Sequence, residues 1–219
     1  MKNLIILFAI LFSISLKAQP TSQLFQSSDG KILGAKKYGN IEGSPYLFNE
    51  WNKGTFKTAS GKTMNSADLK YDIAEDLLVF KGTDNEPMFL SEKVTSFTIE
   101  SPNGPRNFVN GFSKNDKINE KSYLEEIESG KLSLYKRYVV SIIDSKGYGS
   151  NAVSHLFNQN VNYYVLKDKN LTKFTPTKNN VIALNLAKEN EISAYIKAEK
   201  IDFKKDSDLK KLFGYLNKF

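Results

Sequence analysis

Residue types that commonly carry out catalysis are nearly missing from this chain. Its 219 residues include no cysteine and one histidine, His155. A catalytic triad would need His155 beside an activated nucleophile, but the nearby Ser150 and Ser154 lie in no Gly-x-Ser-x-Gly sequence. Zinc sites normally use cysteine or several histidines as ligands. We therefore expect no catalytic residue, no metal site and no cofactor, with His155 exposed to solvent in a loop.

Carboxylates are the remaining candidates for acid–base chemistry. Glycoside hydrolysis needs two carboxyl groups in one cleft, roughly 5–10 Å apart. A carboxylate-dependent glycan hydrolase is therefore an alternative hypothesis, and a solvated turn or helix position is the simpler expectation for each acid. The acids that qualify by type are Asp72, Glu75, Asp76, Glu125 and Glu126.

Two glycine-containing segments resemble nucleotide-binding motifs only in part. A phosphate-binding loop would need a glycine five residues before Gly61, where Phe56 stands, and a helix after Thr63. The residues after Gly61-Lys62-Thr63 have a strand pattern instead, so we predict a hairpin turn there. Gly147-Tyr148-Gly149 lacks the third glycine of a dinucleotide-binding motif. Neither segment predicts a nucleotide site.

The aromatic residues carry more information about binding. Aromatic side chains on a sheet can stack on sugars or line an apolar cleft, although core packing is the simpler role for most of them. We predict that Trp51, Tyr71 and Phe80 contact a ligand, and Trp51 is the most notable because its neighbours are polar. The aromatics considered are Tyr46, Phe48, Trp51, Phe56, Tyr71, Phe80, Phe89, Phe97, Phe108 and Phe112.

The N-terminal residues have the pattern of a secretory signal peptide. Lys2 precedes a mainly apolar run from Leu4 to Leu16, and Lys17-Ala18-Gln19-Pro20 follows, which predicts cleavage after Ala18. The apolar run is shorter than the roughly twenty residues of a membrane-spanning helix. We expect an exported protein, periplasmic or at the cell surface, that is not an integral membrane protein after cleavage.

The positive charge of the chain does not indicate a nucleic-acid partner. The formal net charge is +7, but acidic and basic residues alternate along most of the chain and no arginine cluster accompanies the lysines. Such a balance favours at most a weak attraction to anionic surfaces such as lipid headgroups.

Short apolar runs separated by turn residues predict an antiparallel meander between Tyr46 and Phe112. The clearest strand is residues 132–143, where alternate residues form an apolar face that only Lys136 interrupts. A hairpin is predicted around Asp168-Lys169-Asn170. The runs in the meander are residues 46–48, 55–57, 69–73, 77–81, 88–90, 94–100 and 108–112.

The remaining segments are predicted as irregular or helical. Residues 21–45 are predicted to be an irregular segment with one short strand near Ile32, and residues 145–160 are predicted to be a long loop. Ser122–Ser129 is predicted as one or two helical turns ended by Gly130. After Pro176 the spacing of apolar residues becomes helical, and the last helix is expected to be capped by Asp206 or Ser207.

These elements predict an α+β fold: an antiparallel β-meander, forming a curved sheet or partial barrel, followed by a C-terminal helical segment. The expected division is a signal peptide at residues 1–18, a β-rich domain at 19–175, and helices at 176–219 that pack on the sheet.

Several short segments are similar to a group of uncharacterised exported envelope proteins of Gram-negative bacteria. The resemblance implies an envelope location and a shared fold, but no activity and no site residue. Its segments are Gly43-Ser44-Pro45-Tyr46-Leu47, Trp51-Asn52-Lys53-Gly54, residues 69–73 leading into 76–80, residues 192–197, and the ending from Asp208-Leu209 through Tyr215-Leu216-Asn217.

The leading functional hypothesis is a non-enzymatic envelope protein whose sheet-and-helix cleft binds an apolar, lipid-like ligand or an envelope protein. Besides the glycan hydrolase, a purely structural component is a further alternative, docking through a sheet edge or the region around Trp51.

Overall fold

The structure is a computed structural model that describes residues 38–82, 85, 87–114, 118–146, 153–185 and 188–219, together with the backbone of residues 25–27. The predicted signal peptide, the predicted strand near Ile32 and Gly147-Tyr148-Gly149 lie outside the described residues. The elements are β1 (Phe25–Ser27), β2 (Ile41–Glu42), β3 (Asn52–Thr58), β4 (Thr63–Asp72), β5 (Leu77–Lys81), β6 (Pro87–Leu90), β7 (Val94–Ile99), β8 (Arg106–Val109), β9 (Leu124–Glu128), β10 (Leu132–Lys146), β11 (Val153–Lys167), β12 (Asn170–Phe174), α1 (Lys178–Leu184), α2 (Glu189–Ala198) and α3 (Asp206–Leu216).

One sheet contains all the described strands. Eleven strands follow one another in the order β1-β6-β5-β4-β3-β7-β8-β9-β10-β11-β12, and every pair in this path is antiparallel. The short β2 lies off the path and pairs in parallel with β11. Within the described residues β1 and β12 do not pair, so the sheet is not closed. The predicted α+β fold, a curved antiparallel sheet followed by C-terminal helices, is confirmed.

The sheet encloses an aromatic core along its first part. Most side chains of this core come from β3 to β8, and Tyr138 of β10 joins them. Phe97 and Phe108 are stacked at 4.7 Å between ring centroids. Burial of each such side chain stabilises the fold by roughly 1.5–3 kcal/mol. The meander is therefore a packed layer rather than an open apolar trough.

The helices cover the last part of the sheet. Leu209, Leu212 and Phe213 of α3 are fully buried against residues of β9 to β12 such as Leu134 and Val165. The i, i+3, i+4 spacing of the α3 residues places them on one face of the helix, as the sequence predicts. A smaller cluster that includes Tyr135 and Leu171 lies in the same part of the sheet. No helix in the described part of the chain is both long and apolar enough to cross a bilayer.

The predicted helical turn at Ser122–Ser129 is wrong, because this segment forms β9. Val109 of β8 pairs with Leu124, and Tyr135 of β10 pairs with Glu126, so neighbours on both sides satisfy the backbone of β9. Tertiary pairing thus overrides the local helical preference. β9 ends at Glu128, and a Cβ at Gly130 would lie 2.4 Å from the side chain of Asn217, which explains the glycine there by close packing.

The predicted loop at residues 145–160 is also wrong over most of its length. β11 begins at Val153 and pairs with β10 along all fifteen of its residues. Its first half contains serine, histidine and asparagine, which weakens the apolar alternation that predicts a strand. The predicted hairpin after β11 is confirmed, and Asp168 and Lys169 both adopt the positive φ that a two-residue turn between antiparallel strands requires.

Two smaller predictions are also wrong: a strand at residues 46–48 and the residue that caps α3. The run at residues 46–48 forms only an isolated bridge between Tyr46 and Asp72, because the chain bends at Pro45 and Leu47. The N-cap of α3 is Lys205, not Asp206 or Ser207. Asp206 is the first helical residue, and its carboxylate contacts side chains of the sheet instead of capping the helix.

Candidate functional site

The three predicted ligand residues are not brought together. Tyr71 and Phe80 are buried in the aromatic core, where Phe80 meets Phe56 edge-on at 4.7 Å between centroids. Trp51 lies half-buried just before β3, and the Lys70 ammonium lies 4.9 Å from the centroid of its ring. Tyr71 and Phe80 thus have the packing role expected for most of the aromatics. A ligand role for these residues stays a prediction.

A cleft does open where the sheet meets the helices. We call it the sheet–helix cleft. It lies between the segment before β8, strands β9 and β10, and the first turn of α3, and its volume is about 670 Å³. Sites for small ligands typically have volumes of about 300–1,000 Å³. The residues that line it are Phe48, Ser101, Pro102, Asn103, Pro105, Arg106, Glu125, Glu126, Ile127, Lys136, Tyr138, Lys205, Asp206, Ser207 and Lys210.

One side-chain network in this cleft joins Arg106 to Glu125 and Tyr138. Arg106 binds Glu125 in a bidentate manner, with 2.7 Å from Nε to Oε1 and 2.7 Å from Nη2 to Oε2. The Tyr138 hydroxyl donates to Glu125 Oε2 at 2.6 Å and accepts from Arg106 Nη2. The Phe48 ring lies 5.3 Å from the guanidinium. The network is largely shielded from water, since the Arg106 and Glu125 side chains are 20% and 8% exposed.

A second network in the cleft connects the sheet to α3. The Lys136 ammonium lies 2.6 Å from Asp206 Oδ2, and the Tyr163 hydroxyl donates to Asp206 Oδ1 at 2.7 Å. The ring of Tyr138 connects the two networks, because its centroid lies 5.0 Å from the Arg106 guanidinium and 5.2 Å from the Lys136 ammonium. Asp206 thereby fixes the start of α3 against β10 and β11.

Strand register explains why these residues meet. Glu125 on β9 pairs with Lys136 on β10, and Lys136 pairs with Tyr163 on β11. Tyr138 lies two residues beyond Lys136 and therefore on the same face. Arg106 reaches Glu125 from the neighbouring strand β8. Among these residues, the sequence predicts a possible chemical role only for Glu125. Lys136 is recognised in the sequence only because it interrupts an apolar face. The partners of both residues are distant in sequence, so the pairs could not be predicted.

The electrostatics of the cleft favour protonated tyrosines and charged arginine. Burial, followed by the charge of Glu125, raises the pKa of Tyr138 far above that of a free phenol. Burial and the hydrogen bond to Asp206 raise the pKa of Tyr163. Burial lowers the pKa of Arg106, but hydrogen bonds to Glu125 and the charge of that carboxylate outweigh it, so the pKa is raised.

Three carboxylates line the cleft, and two of them, Glu125 and Asp206, are held by strong contacts within the protein. The third, Glu126, has the Tyr135 hydroxyl 3.5 Å from its Oε2. Both oxygens of Glu125 and both oxygens of Asp206 accept hydrogen bonds from other side chains. A general acid or nucleophile needs an oxygen directed at its substrate. The oxygens of Glu125 and Asp206 are thus directed at side chains of the protein itself.

The other predicted acids have structural surroundings. Asp76 forms a 3.0 Å ion pair with Arg137 and accepts a 2.6 Å hydrogen bond from the buried Tyr71 hydroxyl. Asp72 is buried and accepts hydrogen bonds from the backbone amides of residues 74 and 75, which stabilises the turn after β4. Glu75 is exposed in this turn. These acids position the chain between β4 and β5.

A second feature is the far end of the β10–β11 pair. We call residues 139–146 and 153–161 the distal ribbon. β9 pairs with β10 only up to Lys136, and β12 pairs with β11 only from Tyr163 onward. Beyond those points the two strands pair with each other, and β11 also contacts β2 and the chain around Ser44 through Gln159. Large aliphatic side chains are exposed on the ribbon: Ile142 (54%), Ile143 (46%), Val153 (43%) and Val161 (47%).

His155 lies on this ribbon and not in a loop as predicted. Its Nδ1 lies 2.8 Å from Asp144 Oδ1, directly across the strand pair, and the two side chains are 49% and 73% exposed. Ser154 is adjacent in the strand, so its side chain points to the opposite face. Within the described residues no group of three histidine or acidic side chains is arranged to bind a metal ion.

Similarity to known proteins adds no assignment to these surfaces. Comparisons of the chain with protein-family models, curated proteins and solved structures found no match in any of the three. The resemblance to exported envelope proteins therefore stays a prediction, and the function is argued from the surfaces of the molecule.

Proposed function

We propose that this is a non-enzymatic protein of the bacterial envelope that works by binding another envelope protein through the distal ribbon. The observation that carries the proposal is the exposure of four large aliphatic side chains on one strand pair. By strand register Ile142, Val153 and Val161 lie on one face of the pair and Ile143 on the other. A segment that docked along β10 would therefore meet an exposed aliphatic side chain on each face of the ribbon. An envelope location is supported by the signal-peptide pattern of the N-terminus.

The backbone of the ribbon supports the same conclusion. Past Lys136, the edge of β10 that faces away from β11 has no strand partner within the described residues. An open edge presents unpaired amide and carbonyl groups, and an extended segment of another protein can add to it as a further strand. Such a strand would lie beside Ile142 and Ile143, so that backbone hydrogen bonds and apolar contacts would form together.

Binding of an apolar ligand is less well supported. The aromatic core is occupied by its own rings, which contact one another at centroid distances of 4.7–5.8 Å. In the sheet–helix cleft, an apolar ligand would remove water from Arg106, Glu125, Lys136 and Asp206 without replacing their hydrogen bonds, which is costly. Of the two occupants expected from the sequence, we therefore favour the protein partner.

In-cell photo-crosslinking tests the proposal. A p-benzoylphenylalanine residue replaces Ile142 on the ribbon in one version of the full chain, and the exposed Lys197 of α2 in a matched control. We expect a discrete cross-linked product to another envelope protein from position 142 and none from position 197. In the first version, the additional substitution Ile143→Asp should remove the product, because a carboxylate cannot be desolvated in an apolar contact at small cost.

Three outcomes would refute the proposal. These are equal cross-linking from both positions, a product at position 142 that survives Ile143→Asp, and a product that contains only two copies of this chain. The last would assign the ribbon to self-association.

A further inference from the structure

We infer that the sheet–helix cleft binds a neutral sugar unit of a glycan, a function separate from partner binding by the distal ribbon. The inference rests on the cleft's charge balance, its hydrogen-bonding groups and its apolar wall. None of these depends on Ile142 or Ile143, so the two proposals can fail independently.

The charge balance disfavours ionic ligands. The partly buried cations Arg106 and Lys136 already have carboxylate partners, Glu125 and Asp206. Lys205 and Lys210 also line the cleft, Lys205 at 3.9 Å from Asp202, and Glu126 is a further carboxylate of the lining. An anion that entered the cleft would therefore approach carboxylates as well as cations. A cation that approached the carboxylates would likewise come close to Arg106 and Lys136. Since removing one member of a buried ion pair leaves the other uncompensated, a ligand that leaves both pairs intact is favoured.

The hydrogen-bonding groups match hydroxyls. Arginine has five N–H donors and lysine three. Within the described residues, Arg106 Nη1 makes no hydrogen bond and the Lys136 ammonium makes one, to Asp206. The carboxylates beside them retain lone pairs, because each oxygen has two and Asp206 uses one on each. Donors and acceptors therefore lie side by side, and a hydroxyl group both donates and accepts.

The apolar wall supplies the remaining element of a sugar site. Phe48, Pro102, Pro105 and Ile127 line the cleft together with the charged groups. Sugar rings have apolar C–H faces, and aromatic and other flat apolar side chains pack against them. A phosphate has no such face and an alkyl chain has no hydroxyls. A neutral sugar unit can place its C–H face on the apolar wall and its hydroxyl groups against the charged side chains.

Titration followed by NMR spectroscopy tests this inference. The probes are maltotriose, cellotriose and N-acetylated chitotriose, all neutral, with glucose to separate a free sugar from a chain and sodium phosphate to represent anions. Added to the ¹⁵N-labelled protein, at least one trisaccharide should shift the backbone amides of Arg106, Lys136 and Ser207 in a saturable manner. Phosphate should leave these signals nearly unchanged.

Two blocking variants and one control locate the binding. Ser207→Trp and Asn103→Trp introduce a bulky side chain at exposed positions on opposite walls of the cleft. We expect each to weaken binding at least about tenfold. Lys211→Trp, on the same helix but outside the cleft, should change it by less than about twofold. The dispersion of each amide spectrum verifies folding.

Several results would overturn the inference. One is the absence of saturable shifts with every trisaccharide up to about 10 mM, well beyond ordinary specific affinities. Another is binding that neither Ser207→Trp nor Asn103→Trp weakens. A third is a larger effect of phosphate than of any sugar on the same three amides.

Discussion

The two halves of the β10–β11 pair have the same strand structure but opposite surroundings. In the proximal half, residues 132–135 of β10 are buried, and Leu134 and Val165 pack under the helices. In the distal half, residues 141–146 of β10 are exposed, Ile142 and Ile143 among them. Backbone pairing runs unbroken through both. The difference therefore lies in what covers the side chains, not in how the strands form.

This contrast agrees with the proposed role of the distal half as a docking surface. A two-stranded ribbon is marginally stable without further packing. The proximal half has packing from helices and from neighbouring strands. The distal half has β2 and the Gln159 contacts at one edge, Val140 against the aromatic core, and the ring of Phe157 against Tyr38. We infer that its aliphatic side chains are kept for an external contact.

Core truncation gives the largest expected difference between the halves. Leu134→Ala should lower the free energy of unfolding by about 2–5 kcal/mol, because it leaves a cavity under the helices. Ile142→Ala should change it by less than about 1 kcal/mol, since that side chain is half exposed. Chemical denaturation of both variants measures the difference, and equal losses would contradict the assignment of the two halves.

Ion pairs provide the next comparison. Glu125→Gln in the buried pair with Arg106 should cost about 3 kcal/mol, the lower end of the range for breaking a buried pair, because Arg106 is still partly exposed. The matched change in the distal pair is Asp144→Asn opposite His155. It should cost less than about 1 kcal/mol, as expected of an exposed pair. Denaturation curves for the two variants would refute this ranking if Asp144→Asn were the more damaging change.

Alkaline pH should destabilise the proximal half. Tyr138 and Tyr163 have pKa values raised above the ordinary 10.0 in the folded protein. Above about pH 10 the unfolded chain loses these protons while the folded chain keeps them, so the unfolded state gains stability as pH rises. Each tyrosine contributes at most about 1.4 kcal/mol per pH unit.

The variant Tyr138→Phe tests the origin of this pH dependence. It should make the fall in unfolding free energy between about pH 10 and 11.5 less steep. Denaturation at several pH values measures the slope, and an unchanged slope would remove Tyr138 as a cause. The distal ribbon contains no tyrosine, so this fall in unfolding free energy at alkaline pH does not originate there.

A small effect on stability is expected at the ribbon surface. Ile143→Asp should lower the free energy of unfolding by no more than about 1 kcal/mol, because about half of the side chain is already exposed and strand preferences span roughly that range. Thermal and chemical unfolding check this directly. A loss of several kcal/mol would mean that Ile143 supports the fold, and the contrast between the halves would be weaker than described.

Much of the fold could be predicted from local patterns. The meander, the turn at Asp168-Lys169 and the α3 face of Leu209, Leu212 and Phe213 are each determined by neighbours in sequence. β9 could not be predicted, because its strand state depends on pairing with β8 and β10. The start of β11 could not be predicted, because the polar residues on its exposed faces interrupt the apolar alternation that indicates a strand.

The candidate sites were harder to predict. Arg106 and Glu125 are separated by 19 residues, and Lys136 and Asp206 by 70, so only strand register and helix docking bring them together. Glu125 was recognisable by type, but its bidentate partner was not. For Trp51, Tyr71 and Phe80, residue type alone does not distinguish a buried ring from one that faces a ligand.

The most direct test of the ribbon as a docking surface uses the absence of cysteine from the chain. A single cysteine is introduced as Ile142→Cys or, as a control, Lys197→Cys, and its maleimide labelling rate is measured in purified protein and in intact envelopes. We predict similar rates for the two positions in purified protein, and labelling of position 142 in envelopes slowed at least about tenfold relative to position 197, as partner burial requires. Equal labelling of both positions in envelopes would contradict the account.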